Sequence, residues 1–242
     1  MSTVIAATGP SAYWYLTRSS GTVALVLLTL ALVLGIVDVG RWSTEGWPRF
    51  VIDSLHRNAS LLALAFLGLH IITAVLDSFA PISLVNAVIP FTGVYRPFWL
   101  GLGALSFDLI VAVILTSLLR RRMGHSTWRA IHWLAYASWP IALLHGLGTG
   151  SDVKSTWLLA ISIGCLVVTV AAVLVRVSLG WPDRLARRSA ALGGTAVFTL
   201  GLLLWLPSGP LGSEWARRSG TPAKLLPHSA SHASAGDKEA SG

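Results

Sequence analysis

Six long apolar runs, separated by short polar segments, set the pattern of this chain. An α-helix needs about 20 residues to cross the hydrocarbon core of a bilayer, and each run reaches or approaches that length. The pattern therefore predicts an all-α integral membrane protein, a bundle of six transmembrane helices. The second run opens with polar residues, and the fourth contains Pro140. The runs cover roughly residues 21–39, 50–76, 98–119, 130–148, 157–175 and 190–206.

Composition supports the membrane class. Only 12% of the residues are charged, against about a quarter in soluble domains, and the mean hydropathy is +0.68. The single cysteine, Cys165, lies inside an apolar run. One cysteine excludes an internal disulfide and a four-cysteine iron–sulfur site.

The net charge of +8 reports membrane topology and gives no support to a nucleic-acid partner. The segments between helices 1–2, 3–4 and 5–6 contain ten positive residues, and the opposite set contains three. Positive residues collect on the cytoplasmic side, so both termini are predicted to lie outside the cytoplasm of a bacterium, with the helices in its inner membrane. The ten are Arg41, Arg49, Arg120, Arg121, Arg122, Arg129, Arg176, Arg184, Arg187 and Arg188, and the three are Arg18, Arg96 and Lys154.

Three regions follow from these patterns. Residues 1–20 are predicted to be a non-cytoplasmic N-terminal segment, and residues 21–206 the six-helix domain. Residues 207–242 are rich in Ser, Ala, Gly and Pro and show no periodicity, which predicts a disordered non-cytoplasmic tail, and Trp215 with Arg217 and Arg218 could form a short interfacial piece first.

Four of the seven histidines lie within two of the predicted helices. His56 and His70 are 14 residues apart in the second helix, and His132 and His145 are 13 apart in the fourth. These spacings correspond to about 21 Å and 20 Å along a helix, too far for two histidines of one helix to share a metal ion. The two helices run in the same direction, so His56 and His132 are predicted near the cytoplasmic surface and His70 and His145 near the outer one.

Two imidazoles at each of two levels suit two haems stacked across a membrane. We therefore predict two haem b groups between helices 2 and 4, with the four histidines as axial ligands of the iron. Both axial positions would then be filled, so the expected chemistry is electron transfer. The alternative for each histidine is a hydrogen bond to a neighbouring helix. Four histidines matched in depth favour the haem interpretation.

Helical geometry poses one difficulty for this prediction. Fourteen residues bring His70 back to within about 40° of His56, whereas thirteen leave His145 about 140° from His132. Pro140 lies between the latter two and is expected to kink or rewind the helix.

Four further residues are candidate cofactor contacts. Trp139 falls in depth between the two haem levels, where it either shortens the electron path or packs the core. Arg57 and Arg129 at the inner end, and Arg96 at the outer end, could pair with haem propionates. Ordinary interfacial anchoring is the alternative for each arginine. Asp108, near the middle of the third helix, is expected to be protonated and hydrogen-bonded, or else part of a proton path.

The chain resembles the ferric reductase-like transmembrane domain family over roughly residues 13–206. The resemblance rests on SLHRNASLLALAFLGLHI with His56 and His70, on WRAIHWLAYASWPIALLHGLGTGSD with His132 and His145, and on WYLTRSSGTVALVLL in the first helix. That family includes the membrane halves of ferric reductases and NADPH oxidases, and the haem subunit of the periplasmic methionine sulfoxide reductase system. The resemblance implies two bis-histidine haems and electron flow from inside to outside. Larger members continue into a flavin and NADPH domain, which this chain is expected to lack.

The sequence therefore predicts a dihaem b-type cytochrome, the electron-transfer component of an oxidoreductase. No flavin, nicotinamide or phosphate motif is present, so the electrons must come from another molecule. We expect a cytoplasmic flavoprotein or a membrane quinol as donor, and a protein or metal at the outer face as acceptor. Two alternatives stay open: a proton- or metal-coupled transporter, and a non-redox, haem-handling membrane subunit.

Overall fold

A computed structural model of the chain describes residues 11–39, 48–150, 152–179 and 185–226, and every regular element within these ranges is a helix. The elements in chain order are α1 (Ala12–Val39), α2 (Arg49–Leu76), α3 (Leu84–Val88), α4 (Pro97–Leu118), α5 (His125–His132), α6 (Leu134–Thr149), α7 (Thr156–Ser178), α8 (Leu185–Ser208), α9 (Trp215–Arg218) and a 3₁₀ turn (Ala223–Leu225).

Five helices of the described part are long and apolar enough to cross a membrane. The protein is therefore an all-helical, multi-pass membrane protein. The first span begins nine residues before the predicted start, because the aromatic residues that precede Gly21 continue the helix of α1. The five spans are Ala12–Val37, Phe50–Leu76, Pro97–Leu118, Thr156–Ser178 and Leu185–Ser208.

The predicted fourth transmembrane helix is divided in two. Helix α5 ends at His132 and α6 begins at Leu134, with Trp133 between them, and neither piece alone has the length of a span. The backbone stays near-helical at Trp133 (φ −63°, ψ −19°), but its carbonyl accepts a hydrogen bond from Tyr136 N, three residues ahead. Such a tight turn interrupts the α-helical register. The sequence predicted the distortion at Pro140, which instead lies inside α6.

Two pairs of neighbouring helices form the framework around the histidines. Helix α1 packs along α2, and α4 packs along α6; α1 also contacts α6 and α7. Polar side chains join the start of α1 to the end of α2, where Thr17 Oγ1 donates to Thr73 Oγ1 at 3.0 Å. A hydrogen bond of this kind replaces water as a partner for a hydroxyl within the bilayer.

The apolar core lies between α6, α7 and α8. Leu143 of α6 is only 1% exposed, and Cys165 of α7 is buried beside it, in keeping with a small apolar side chain. Large apolar side chains on the opposite face of α8 are exposed, among them Val197 and Leu204. Exposed aliphatic surface along a membrane-length helix is suited to contact with lipid.

The chain beyond α8 is more ordered than composition predicts. Trp215 Nε1 donates to Gly148 O at 3.1 Å, and Arg96 N donates to Gly220 O at 3.0 Å, so residues 209–221 lie against the ends of α4 and α6. Composition cannot show this, because a few specific contacts by Trp215 and the backbone hold the segment. Residues 227–242 of the predicted tail lie outside the described residues.

Candidate functional site

Two pairs of imidazole rings face each other between α2 and the α5–α6 segment. The ring centres of His56 and His132 are 6.4 Å apart with their planes at 66°. Those of His70 and His145 are 6.2 Å apart with their planes at 82°. Helix α2 supplies one member of each pair, and the other member comes from the last residue of α5 or from α6. The structure thus brings together the residues that the sequence places at the same depth.

Both rings lie opposite those of α2 in spite of the angular difficulty noted for the 13-residue spacing. A regular helix would leave His145 about 140° from His132. Two departures from regular helical hydrogen bonding lie between these histidines, the turn at Trp133 and Pro140, which has no N–H to donate.

Three of these four imidazoles are fixed by a hydrogen bond from Nδ1 to a backbone carbonyl of a neighbouring helix. A carbonyl can only accept, so Nδ1 carries the proton and Nε2 keeps its lone pair. This is the arrangement in which a metal-binding histidine is held by its second nitrogen. The bonds are His56 to Ala31 O at 2.9 Å, His70 to Thr17 O at 2.7 Å and His145 to Trp99 O at 2.8 Å.

The same three rings each lie against a glycine one helical turn beyond the accepting carbonyl. A Cβ atom on Gly21 would lie 2.8 Å from His70 Nδ1, and one on Gly103 would lie 2.5 Å from His145 Nδ1. Gly35 is less tight, with 3.4 Å to His56 Cε1. In each case the acceptor stands four residues before the glycine, so the bare glycine backbone gives the imidazole access to that carbonyl.

The sequence contains a signal for these glycine–histidine contacts, which the prediction from the histidine spacings did not use. Gly21 and Gly35 are 14 residues apart, the spacing that also separates His56 from His70. Since α1 and α2 pack along each other, matched spacings on the two helices predict two glycine–histidine contacts at two levels.

Each pair has the separation expected for two axial ligands of one metal. Metal–nitrogen bonds to histidine are about 2 Å long, and a ring centre lies about 1.2 Å behind its coordinating nitrogen, so ring centres on opposite sides of one metal are about 6.3 Å apart. No group of three or more His, Cys, Asp or Glu side chains in the described ranges could hold a metal ion. Two opposed donors without others suit a metal that brings its own equatorial ligands, as haem does.

The His70–His145 pair is bordered by an aromatic cluster formed by Trp99, Trp205 and Trp215. The rings of Trp99 and Trp205 are stacked with centres 4.9 Å apart, and the ring centre of Trp215 lies 5.2 Å from that of Trp99. The backbone of Trp99 also accepts the hydrogen bond of His145. The cluster therefore fixes a residue that orients His145.

Arg96 is buried beside the C-terminal end of α6 and binds its last carbonyls. Its Nη1 donates to the carbonyls of Gly148 and Thr149 at 3.1 Å and 2.9 Å, and its Nε donates to Thr221 Oγ1 at 2.9 Å. Burial lowers the pKa of the Arg96 guanidinium, and the nearby Tyr95 opposes that shift. A guanidinium starts from so high a pKa that it stays charged, and here it caps helix carbonyls.

The other candidate contacts occupy different surroundings. Trp139 is buried in the α6–α7–α8 core, and its Nε1 donates to Thr29 Oγ1 of α1 at 2.8 Å. Arg57, in the first third of α2, and Arg129, in α5, are exposed. The cofactor contacts predicted for Trp139 and the three arginines stay predictions. Asp108 is partly buried within α4.

The family model for the ferric reductase like transmembrane component matches residues 20–143, just over half of the chain. The chain belongs to this family. The matched part includes His56, His70 and His132 and ends two residues before His145. Ferric reductase-like membership identifies the chain as a transmembrane electron-transfer protein in the general sense. Comparisons with curated proteins and with solved structures gave no match.

Proposed function

We propose that this ferric reductase-like protein transfers electrons across a membrane through two haem b groups. His56 and His132 would hold the inner haem, and His70 and His145 the outer one. The observation that supports this most strongly is the pair of imidazole–imidazole separations, 6.4 Å and 6.2 Å, at two levels of one helix bundle. A haem iron supplies a one-electron ferric–ferrous couple.

The residues of the chain contribute position and orientation. The carbonyls of Thr17, Ala31 and Trp99 hold three imidazoles with Nε2 directed away from the accepting helix. A hydrogen bond to Nδ1 also makes an imidazole a more basic ligand. Both axial positions are then occupied by nitrogen, which favours electron transfer over reactions that need an open site.

In the proposed topology, α5 and α6 together form the fourth of six crossings. The electron-transfer unit is then residues 21–206, and the excess of arginine in alternate loops places the His56–His132 level at the cytoplasmic side of a bacterial inner membrane. About 21 Å along α2 separates His56 from His70, most of the thickness of a hydrocarbon core. Two haems at these levels would divide the crossing into shorter steps.

The proposed donor is a cytoplasmic flavoprotein or a membrane quinol, and the proposed acceptor is a protein or metal at the outer face. This follows from the absence of a nucleotide-binding motif in the sequence. The Gly-rich stretch 146–150 ends α6 and connects it to α7, so it does not link a strand to a helix.

A reduced-minus-oxidised absorbance spectrum of the purified protein tests the proposal. We expect a b-type signal with about two haems per chain, and about half of it in His70→Ala and in His56→Ala. The matched control is His125→Ala, because His125 is an exposed histidine at the start of α5. A folded protein without haem would refute the proposal, and metal-stimulated flux through such a protein would favour a transporter. A protein that holds one haem weakly would favour the haem-handling subunit.

A further inference from the structure

One imidazole of the four is held differently from the others. Nδ1 of His132 is buried and has no hydrogen-bond partner among the residues that the structure describes. His56, opposite it, donates to Ala31 O, and both members of the outer pair donate to carbonyls. The inner pair is therefore asymmetric, with one fixed ring and one whose polar N–H is unpaired.

The sequence of α4 accounts for the missing bond. The outer histidine of this side, His145, uses Gly103 and the carbonyl of Trp99. A step of 14 residues, the step from Gly21 to Gly35 on α1, leads from Gly103 to Ser117 and from Trp99 to Val113.

At this corresponding position α4 lacks the glycine of the other three sites, and its carbonyl accepts from hydroxyls and not from the histidine. Ser117 has a side chain where they have glycine, and its Oγ donates to Val113 O at 2.7 Å. Thr116 Oγ1 lies 3.1 Å from the same carbonyl. The carbonyl that would correspond to Trp99 O is thus already engaged by hydroxyls of its own helix.

Among the residues that the structure describes, ring contacts position His132 instead. The indole of Trp128 stacks on it with centres 5.0 Å apart and planes at 27°. Trp128 is itself placed by a 3.4 Å bond from Nε1 to Ser117 Oγ and by the Arg120 guanidinium, 4.3 Å from its ring centre. A stacked face resists tilting of the imidazole but does not fix its rotation or its distance from His56. His132 is also the last residue of α5, next to the interruption at Trp133.

We propose that the His132 side of the inner pair is a binding site for a small neutral ligand such as carbon monoxide. This inference rests on the proposed function. Carbon monoxide would replace His132 Nε2 on the iron of the reduced inner haem, so that one ligand bond is lost as the other is gained and no electron or proton is transferred. Among the described residues, Nδ1 of His132 has no hydrogen bond to lose when the ring moves.

The outer pair is expected to resist the same ligand. Loss of a partner that orients a metal-binding histidine typically weakens metal binding about 10- to 100-fold. His132 lacks such a partner, whereas His70 and His145 both have one. Carbon monoxide should therefore bind the inner haem at least about tenfold more tightly than the outer haem.

The experiment titrates carbon monoxide into the full-length, dithionite-reduced protein in detergent and follows the absorbance change and the amount bound per haem. We expect about one equivalent for two haems. Ser117→Gly makes room for the imidazole and leaves Val113 O with the 3.1 Å contact from Thr116 Oγ1, much as Thr17 O accepts from Ser20 Oγ at 3.2 Å and still accepts from His70. The variant should therefore weaken carbon monoxide binding about tenfold or more. The control is Ser178→Gly, because Ser178 is also an exposed serine at the end of a membrane helix with its Oγ bonded to its own helix.

A second variant acts in the opposite direction without altering α4. Trp128→Ala removes the stacked indole and should strengthen carbon monoxide binding. The inference would be overturned if the protein retained two haems but bound no carbon monoxide, or bound it at the His70–His145 pair. Either result would leave the proposed function intact. Equal affinities in the wild-type protein and in Ser117→Gly would also overturn it. A haem-free protein would overturn both.

Discussion

Gly103→Ala tests whether the glycine contacts hold the proposed ligands in place. The added methyl group would lie 2.5 Å from Cε1 and Nδ1 of His145, more than about 1 Å inside an ordinary carbon contact. The ring must shift, and the 2.8 Å bond from Nδ1 to Trp99 O would be lost or lengthened. The perturbation is thus one methyl group aimed at one of the four histidines.

The magnitude follows from three opposing effects. Overpacking typically costs about 1–3 kcal/mol, and loss of one neutral hydrogen bond costs about 1 kcal/mol more. Alanine in place of a helical glycine restores up to about 1 kcal/mol. The unfolding free energy should therefore fall by about 1–3 kcal/mol. Affinity for the outer haem should fall about 10- to 100-fold.

The assay is haem content per chain by absorbance, together with thermal unfolding in detergent. Gly103→Ala should keep one haem and lose most of the other. Gly35→Ala, where the Cβ would lie 3.4 Å from His56 Cε1, should have a much smaller effect. Gly164→Ala is the matched control, because no described atom outside its own helix lies within 4 Å of that Cβ in α7. Two haems bound with unchanged affinity in Gly103→Ala would refute the reasoning.

Three further predictions concern residues around the pairs. Arg96→Ala should lower the unfolding free energy by about 2–4 kcal/mol, because buried carbonyls of Gly148 and Thr149 lose a charged donor; unfolding no easier than in the exposed-site variant Arg57→Ala would contradict this. Trp139→Phe should cost about 0.5–1.5 kcal/mol, because one hydrogen bond to Thr29 Oγ1 is lost while that hydroxyl still donates to Leu25 O, and it should leave the haem spectrum unchanged; a spectral shift in detergent-purified protein would instead favour a haem contact. Truncation after residue 208, which removes Trp215, should loosen the outer haem and spare the inner one, and equal retention of both haems would count against that role.

The depth of the histidines could be predicted from the sequence because depth depends only on residue count. Spacings of 14 and 13 in helices of known rise fix two levels, and the positive loops fix which level is inner. That the rings of His132 and His145 both turn toward α2 could not be predicted in the same way. Two departures from regular helical hydrogen bonding lie between them, and the sequence marks only one of these, Pro140; the turn at Trp133 has no residue of the helix-breaking type.

The surroundings of the histidines were harder to predict than the histidines themselves. A carbonyl acceptor such as Trp99 O belongs to the backbone, so its residue type gives no indication of its role. Arg96 illustrates the opposite difficulty, since an arginine at a helix end suggests interfacial anchoring or an anion, yet its guanidinium is buried against helix carbonyls. The segment 209–221 was predicted to be disordered because composition averages over the few residues that make its contacts.

Electron transfer across a sealed bilayer tests the central claim most directly. The protein would be reconstituted into vesicles that contain ferricyanide, dithionite would be added outside, and reduction of the trapped ferricyanide would be followed by absorbance. The account predicts rapid reduction with the wild-type protein and with His125→Ala, and the rate of empty vesicles with His56→Ala or His145→Ala. Reduction by the wild-type protein no faster than in empty vesicles, or unchanged reduction in both histidine variants, would contradict it.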